Sequence, residues 1–337
     1  MSQRESERPR VAIACQGGGS HTAFTAGVLD RLLAEEDVAF DVVELSGTSG
    51  GAICAFAAWF GLASEGPEDG RPEARRLLGQ VWDDIAAKTS LDAWMNSVGV
   101  EVVRAQSRGV PVPSVGPYDS PVSEWSRRVL RQVLEGAVDP DALGDVVGRT
   151  DPLPPRLDVG AVDVQRGTFR TFTERDVTHD AVLASAAVPP LFRAAPVVQS
   201  DGTTRWYWDG LFSQNPPLGD LFGSGEGRQD RADELWIVQI NPQREDELPT
   251  TLEAIADRRN ELSGNISLNQ ELRVIERVND WIDAGHLPES DFQHTEVRRI
   301  PMGKEYHCST KVDRSPSFLQ ELMDLGEQRA TEFRAEM

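Results

Sequence analysis

One serine in this chain stands in a pattern that chemistry can use. Gly47-Thr48-Ser49-Gly50-Gly51 satisfies G-x-S-x-G. A serine on a tight turn between a strand and a helix has its hydroxyl thrust out, and the flanking glycines let the strained turn close. A helix starting at Gly50 aims free N–H groups at the same place. Such a serine can attack an acyl carbonyl and hold the acyl group as an ester. The same five residues could also be a turn that packs helix on sheet. Context favours chemistry, because a strand precedes the motif and an almost wholly apolar segment, Ala52 to Phe60, follows it.

A second glycine run, Gly17-Gly18-Gly19, also lies between a predicted strand and a predicted helix. Its backbone N–H groups can converge on an anion. No G-x-G-x-x-G is present and no G-K-[ST] follows, so a nucleotide cradle is disfavoured. An oxyanion hole is the better reading, since a nucleophile lies on the next unit of the sheet. Activation of Ser49 needs a base. His21, His179, His286, His294 and His307 are the five histidines, and none has a local context that marks it as one. A carboxylate can serve if it reaches the hydroxyl and is partly desolvated. Asp209-Gly210 is one candidate, although Asp-Gly is also a common turn dipeptide. Asn215 either braces the Asp209 loop or makes a simple Asx-turn. His21 reads as a polar helix-entry residue.

The surrounding elements are those that would position such a site. Residues 10–15 read as a short buried strand, and Phe24, Val28 and Leu32 recur at helical spacing. Residues 38–46 form a second strand before the Ser49 motif, and a helix apolar all round follows. Two successive strand–turn–helix units imply a parallel sheet covered by helices. Residues 61–73 read as a loop, and helices are expected near 72–88, 121–136 and 178–187. Residues 156–173 read as a hairpin turning at Arg166-Gly167. Trp206, Tyr207 and Trp208 read as core or strand-edge aromatics. Residues 234–241 are the last clear core strand. Residues 90–120 are apolar yet dense in Pro and Gly, and are expected not to form a regular helix. They read as a lid or acyl-chain wall, or as an insertion packed on the core. Beyond 251 the pattern is helical, with apolar stripes at Leu252, Ile255, Leu262 and Ile266 and at Leu272, Ile275, Val278 and Ile282. Ser315-Pro316 is a good helix start.

Composition sets bounds. The chain has 337 residues, 55 acidic against 34 basic, for a net charge of −21. Lys88, Lys304 and Lys311 are the only lysines. This excess is expected to repel nucleic acid and, at low salt, an anionic membrane. It reads as a salt-adapted surface, screened over a few ångströms, with an acidic protein of a GC-rich genome as the alternative. Cys15, Cys54 and Cys308 are too scattered for a disulfide framework or a zinc site. The N-terminus lacks the apolar core of a signal peptide, and the longest apolar run is too short to span a bilayer. A cytoplasmic protein is expected.

Three signatures in one order, Gly17–Gly19, the Ser49 motif and Asp209-Gly210, resemble those of patatin-like phospholipases. The stretch Ala184-Ser185-Ala186-Ala187-Val188-Pro189-Pro190-Leu191-Phe192 is similar to the one ahead of that family's catalytic Asp. Together they span residues 11–217. The resemblance implies a three-layer α/β fold with a mostly parallel central sheet and a helical C-terminal extension. It implies a Ser49–Asp209 dyad without His, with Gly18, Gly19 and the N–H of Gly50 on the oxyanion and Gly17, Gly47, Gly51 and Gly210 shaping the loops. Residues 8–245 would be the catalytic domain, with an insertion at about 90–120, and 246–337 the extension. The reaction would be hydrolysis of lipid acyl esters with no metal or organic cofactor, involving transient membrane contact at most. A silent lipid-binding or scaffold protein and a lipid acyltransferase are the alternatives. The chain departs from the family pattern at Gln16 (often Asp), His21 (often Arg or Lys) and Leu211 (often Gly or Ala).

Overall fold

The computed structural model describes residues 8–34, 39–66, 69–113, 115–149, 155–189, 191–218, 232–288 and 291–337. Val38 and Pro190 therefore lie outside the described residues. The chain begins β1 (Arg10–Cys15), α1 (Ala23–Leu32), β2 (Asp41–Gly47), α2 (Gly50–Glu65) and α3 (Arg71–Ile85). It continues through α4 (Ser90–Ser107), α5 (Pro121–Ala137) and α6 (Pro140–Val147) to β3 (Arg156–Asp163), β4 (Thr168–Thr173), α7 (His179–Ser185), β5 (Ala195–Val198) and β6 (Thr204–Asp209). It closes with β7 (Glu234–Gln239), α8 (Leu252–Asp283), β8 (Glu296–Pro301) and α9 (Pro316–Ala335).

One sheet of eight strands runs β5-β6-β3-β2-β1-β7-β8, with β4 paired to β3. The five strands from β3 through β2, β1 and β7 to β8 are parallel, and the β3–β4, β3–β6 and β5–β6 pairs are antiparallel. Alternation along the strands sorts side chains to two faces. Val11, Ile13, Cys15, Trp236 and Val238 enter a large core with α1, α2, α3 and α9. Ala12, Ala14, Leu235 and Ile237 meet Leu268, Leu272 and Ile275 of α8. The result is three layers, helix–sheet–helix, around the mostly parallel sheet that the sequence pattern implied.

Four expectations change. Residues 90–107 form a regular helix, α4, capped by the Thr89 hydroxyl, which accepts from Asp92 N at 3.1 Å. The breakers lie beyond it, at 109–117, and the single interior glycine, Gly99, is tolerated. The sheet does not end at 241, because β8 adds an edge strand on β7. Its sequence, Glu-Val-Arg-Arg-Ile-Pro, is too polar to read as core, and only Ile300 is buried. Finally, the two apolar stripes of α8 have opposite fates. Leu272, Ile275 and Ile282 are buried, whereas Leu252, Ile255, Leu262 and Ile266 face solvent. The apolar run after Ser49 also stays helical through Glu65, into the expected loop.

Helices α1 and α9 cross at backbone contact. A Cβ on Gly27 would lie 2.0 Å from the Met323 carbonyl oxygen, and one on Gly326 would lie 2.1 Å from that of Phe24. Alanine would gain about 1 kcal/mol of helix propensity, but it must force two backbones apart at a cost of about 1–3 kcal/mol or more. Gly27→Ala is therefore expected to lower the thermal midpoint and to make α9 more sensitive to limited proteolysis. An unchanged or raised midpoint would show that the crossing relaxes freely.

Candidate active site

Ser49 occupies a two-residue turn between the end of β2 at Gly47 and the start of α2 at Gly50. Its backbone is at φ 58°, ψ −130°, and among the described residues it is the only non-glycine at positive φ. That conformation costs of order 1–3 kcal/mol and persists only where its surroundings enforce it. Three hydrogen bonds do so here. Ser49 N donates to the buried Ser185 hydroxyl at 3.0 Å, Gly51 N donates to Thr48 O at 2.9 Å, and Ile53 N donates to Ser49 O at 3.2 Å. The turn also needs its glycines, since a Cβ on Gly51 would lie 2.2 Å from Cys15 O and one on Gly47 would lie 2.4 Å from Gly51 O.

The glycine loop lies against this elbow. A Cβ built on Gly17 would be 2.8 Å from Ser49 Cβ, and one on Gly50 would be 2.9 Å from Gly19 O. Gly18 packs on Ile240, and Gly19 abuts the Lys311 carbonyl. Gly17 N is taken by Asn215 Oδ1 at 2.7 Å. Neither the 3-10 turn at Gly19–Thr22 nor α2 carries a side-chain cap. Both amino ends thus present backbone donors beside the Ser49 turn.

Asp209 ends β6 and is fully buried. Its Oδ1 accepts from Leu211 N at 2.9 Å. Leu211 therefore serves through its backbone, which explains why a bulky residue is tolerated there. Oδ2 is buried and makes no hydrogen bond of good geometry. The Ser49 hydroxyl is nonetheless close enough to favour the charged carboxylate. Burial dominates and pushes Asp209 up to about 7, against the opposing pull of Leu211 N–H and Ser49. Gly210 packs on Gly160 and Thr48, and the Thr48 hydroxyl donates to Gln214 O at 2.7 Å. The Ser49 and Asp209 loops are thus stitched together directly.

Asn215 does more than turn its own loop, since it reaches Gly17 across the site. The sequence reading missed the residues that hold this frame. Gln16, fully buried, accepts from Ile240 N at 2.9 Å and Asn241 N at 2.8 Å and donates to Asn265 Oδ1 at 2.9 Å. A carboxylate at 16 could accept the two N–H groups, but it would face the Asn265 oxygen. An amide satisfies all three, so this departure from the family pattern follows from Asn265 on α8. Asn241 Nδ2 donates to Gly17 O at 3.0 Å. Ser185 was visible only as a polar residue inside an apolar run.

The two buried histidines are engaged elsewhere. His21 Nε2 meets the Thr310 hydroxyl at 2.7 Å, and its ring packs near Tyr306 and Phe318. Burial first, then the Lys311 charge, lowers it to about 3, so it is neutral. His179 bonds the Val138 carbonyl at 2.9 Å. Among the described residues no cluster of three His, Cys, Asp or Glu side chains could hold a metal ion, and no helix is long and apolar enough to cross a membrane.

A strained serine elbow thus lies beside a buried aspartate on a three-layer α/β sheet. The chain belongs to the patatin-like phospholipase family, whose model matches residues 13–222. That family acts on lipid esters. No curated protein matches the chain. Among solved structures it is similar to VipD from Legionella pneumophila, 13% identical, with a TM-score of 0.38 over 94% of this chain and 67% of that one. It is also similar to the type III effector protein ExoU, 15% identical, with a TM-score of 0.33 over 96% of this chain and 52% of that one. A further match is ExoU of Pseudomonas aeruginosa in complex with SpcU, 15% identical, with a TM-score of 0.28 over 96% of this chain and 53% of that one. The chain thus spans about half the length of ExoU.

Proposed function

We propose that this chain hydrolyses acyl esters of lipids through a Ser49–Asp209 dyad. The observation that carries the reading is the pairing of a strained Ser49 with a buried carboxylate that is held up to about 7 and has one oxygen without a well-formed partner. Ser49 Oγ attacks the ester carbonyl while its proton passes to Asp209 Oδ2. The negative charge that builds on the carbonyl oxygen meets the N–H groups of Gly18, Gly19 and Gly50. As the tetrahedral species collapses, the C–O bond to the alcohol breaks and Asp209 returns the proton to the leaving oxygen. Water then attacks the acyl-Ser49 ester with Asp209 again as base, releasing the fatty acid and restoring both groups. A pKa near 7 suits both directions of transfer. The net charge of −21 favours zwitterionic or neutral substrates over anionic ones.

A fluorophosphonate ester tests the reading, since it phosphonylates only an activated serine. In molar salt, peptide mass spectrometry should place the adduct on Ser49 of the wild type. Labelling should vanish in Ser49→Ala and slow by about 10²-fold or more in Asp209→Asn. Folded wild-type protein without an adduct would sink the dyad.

A further inference from the structure

Helix α4 and the first half of α8 turn apolar stripes to solvent. On α4, the polar Asn96 and the apolar Val100 are the buried residues. Asn96 donates to Asp313 at 2.9 Å and accepts from Arg314 N at 2.8 Å, and Asp92 pairs with Arg314 at 2.6 Å. The solvent side carries Leu91, Trp94, Val98 and Val102, with Trp94 64% exposed. At 100° per residue these four fall within an arc of about 80°. On the first half of α8, buried Glu261 bonds Lys311 at 2.8 Å and buried Asn265 bonds Gln16, while Leu252 and Ile255 face outward, Leu252 at 89% exposure. A soluble helix normally shows the reverse arrangement. The two helices pack on each other. Gly109, just past α4, meets Thr251, the cap of α8, at 3.8 Å from its Cβ position. The end of α4 thus meets the start of α8, and the two apolar faces lie on neighbouring helices. They also border the site, because Lys311, tied to Asp257 and Glu261 of α8, sets its carbonyl against Gly19.

We infer that this joined face of α4 and α8 docks the protein on a zwitterionic lipid surface, holding the Ser49 opening against it. The inference rests on the proposed lipid-ester hydrolysis for its purpose but on the helix faces for its geometry. Three observations select the occupant. An apolar face of this extent marks an interaction site, and an outward Trp among aliphatics is suited to the headgroup boundary. A second copy would bring another −21 charges and oppose self-association. An anionic bilayer is repelled for the same reason, which leaves neutral or zwitterionic surfaces. The segment that ties the face to the glycine loop, Cys308–Val312, packs on α4, so docking there brings the lipid to the site's edge.

The test is flotation with phosphatidylcholine vesicles, done in a Ser49→Ala background so that the vesicles stay intact. Trp94→Glu/Leu252→Glu should lose at least tenfold in vesicle partition, and Trp94→Ser/Leu252→Ser, which adds no charge, should lose severalfold. In the background that retains Ser49, both pairs should hydrolyse a soluble short-chain ester at the wild-type rate while slowing on vesicles. Trp94 emission should shift to the blue on vesicle addition. Failure of the parent protein to float, or equal flotation of both double variants, overturns the proposal. So does a concentration-dependent dimer that the Trp94 and Leu252 changes dissolve, because the face then belongs to a second copy. If the protein floats through this face yet hydrolyses no soluble ester, the catalytic reading fails and the docking surface stands.

Discussion

Asp209→Asn is expected to reduce kcat/KM by about 10²–10⁴-fold while making the protein more stable at pH 8. Both effects have one cause. Burial holds the carboxyl up to about 7, so charging it inside the fold is costly. Moving a carboxyl from 3.8 to about 7 corresponds to an ionisation cost on the order of 4 kcal/mol. The folded pKa is raised, so the stability linked to the protonated form is complete below the unfolded value. It is lost as pH rises from about 4 through about 7. Asn cannot ionise and keeps the Leu211 N–H bond through its carbonyl oxygen. The gain in melting temperature over wild type should be near zero below pH 4, grow across that window and level off above pH 7. Activity should run the opposite way. Only the ionised carboxylate accepts a proton, so kcat/KM of the wild type should fall about tenfold per pH unit below an apparent pKa of about 7. An acid limb near 4, or an Asn variant no more stable at pH 8 than at pH 4, would mean that Asp209 is an ordinary solvated aspartate.

Ser49→Ala and Ser49→Gly should both lose about 10⁴-fold or more in kcat, since each removes the nucleophile. Their stabilities should differ. Both lose the hydroxyl beside Asp209, so that effect cancels between them. What remains is the backbone at φ 58°. Alanine keeps a Cβ in that conformation and keeps its strain, of order 1–3 kcal/mol. Glycine adopts it freely but loses more entropy on folding, about 0.5–1 kcal/mol. The strain outweighs the entropy, and Ser49→Gly should be more stable than Ser49→Ala by about 1 kcal/mol, read from paired urea unfolding curves. Equal stabilities would show that the elbow stores no strain and that the positive φ is incidental.

Much of the core and of the candidate site was legible because its signals are local. A strand-breaking glycine run, a G-x-S-x-G between strand and apolar helix, and an Asp-Gly after an aromatic strand are each confined to a few neighbouring residues. The hairpin turning at Arg166-Gly167 formed as read, with β3 and β4 antiparallel. The misreadings share a different trait. Residues 90–107 were judged together with the Pro-rich segment after them, although a helix depends on its own span and its Thr89 cap. β8 was invisible because an edge strand needs only one buried face, and its pairing partner lies some sixty residues away. The polar frame of Gln16, Ser185, Asn241 and Asn265 could not be found from spacing, since each residue acts on a segment distant in sequence.

The sequence by itself determined the α/β class, the order of the glycine loop, serine elbow and Asp-Gly turn, and a net charge of −21. These follow from residue type and short-range periodicity, which any stretch of chain carries with it. Only the tertiary structure decided that Asp209 is dry and held near 7, that Ser49 sits at positive φ, and that Gln16 suits a position where the family often has Asp. It alone also decided which side of each amphipathic helix meets water. Leu252 and Leu272 belong to the same helix and the same kind of stripe, yet one is exposed and the other buried. A periodic pattern states that a helix has two faces. The sheet it rests on, and the buried polar groups that must be satisfied there, choose which face turns inward.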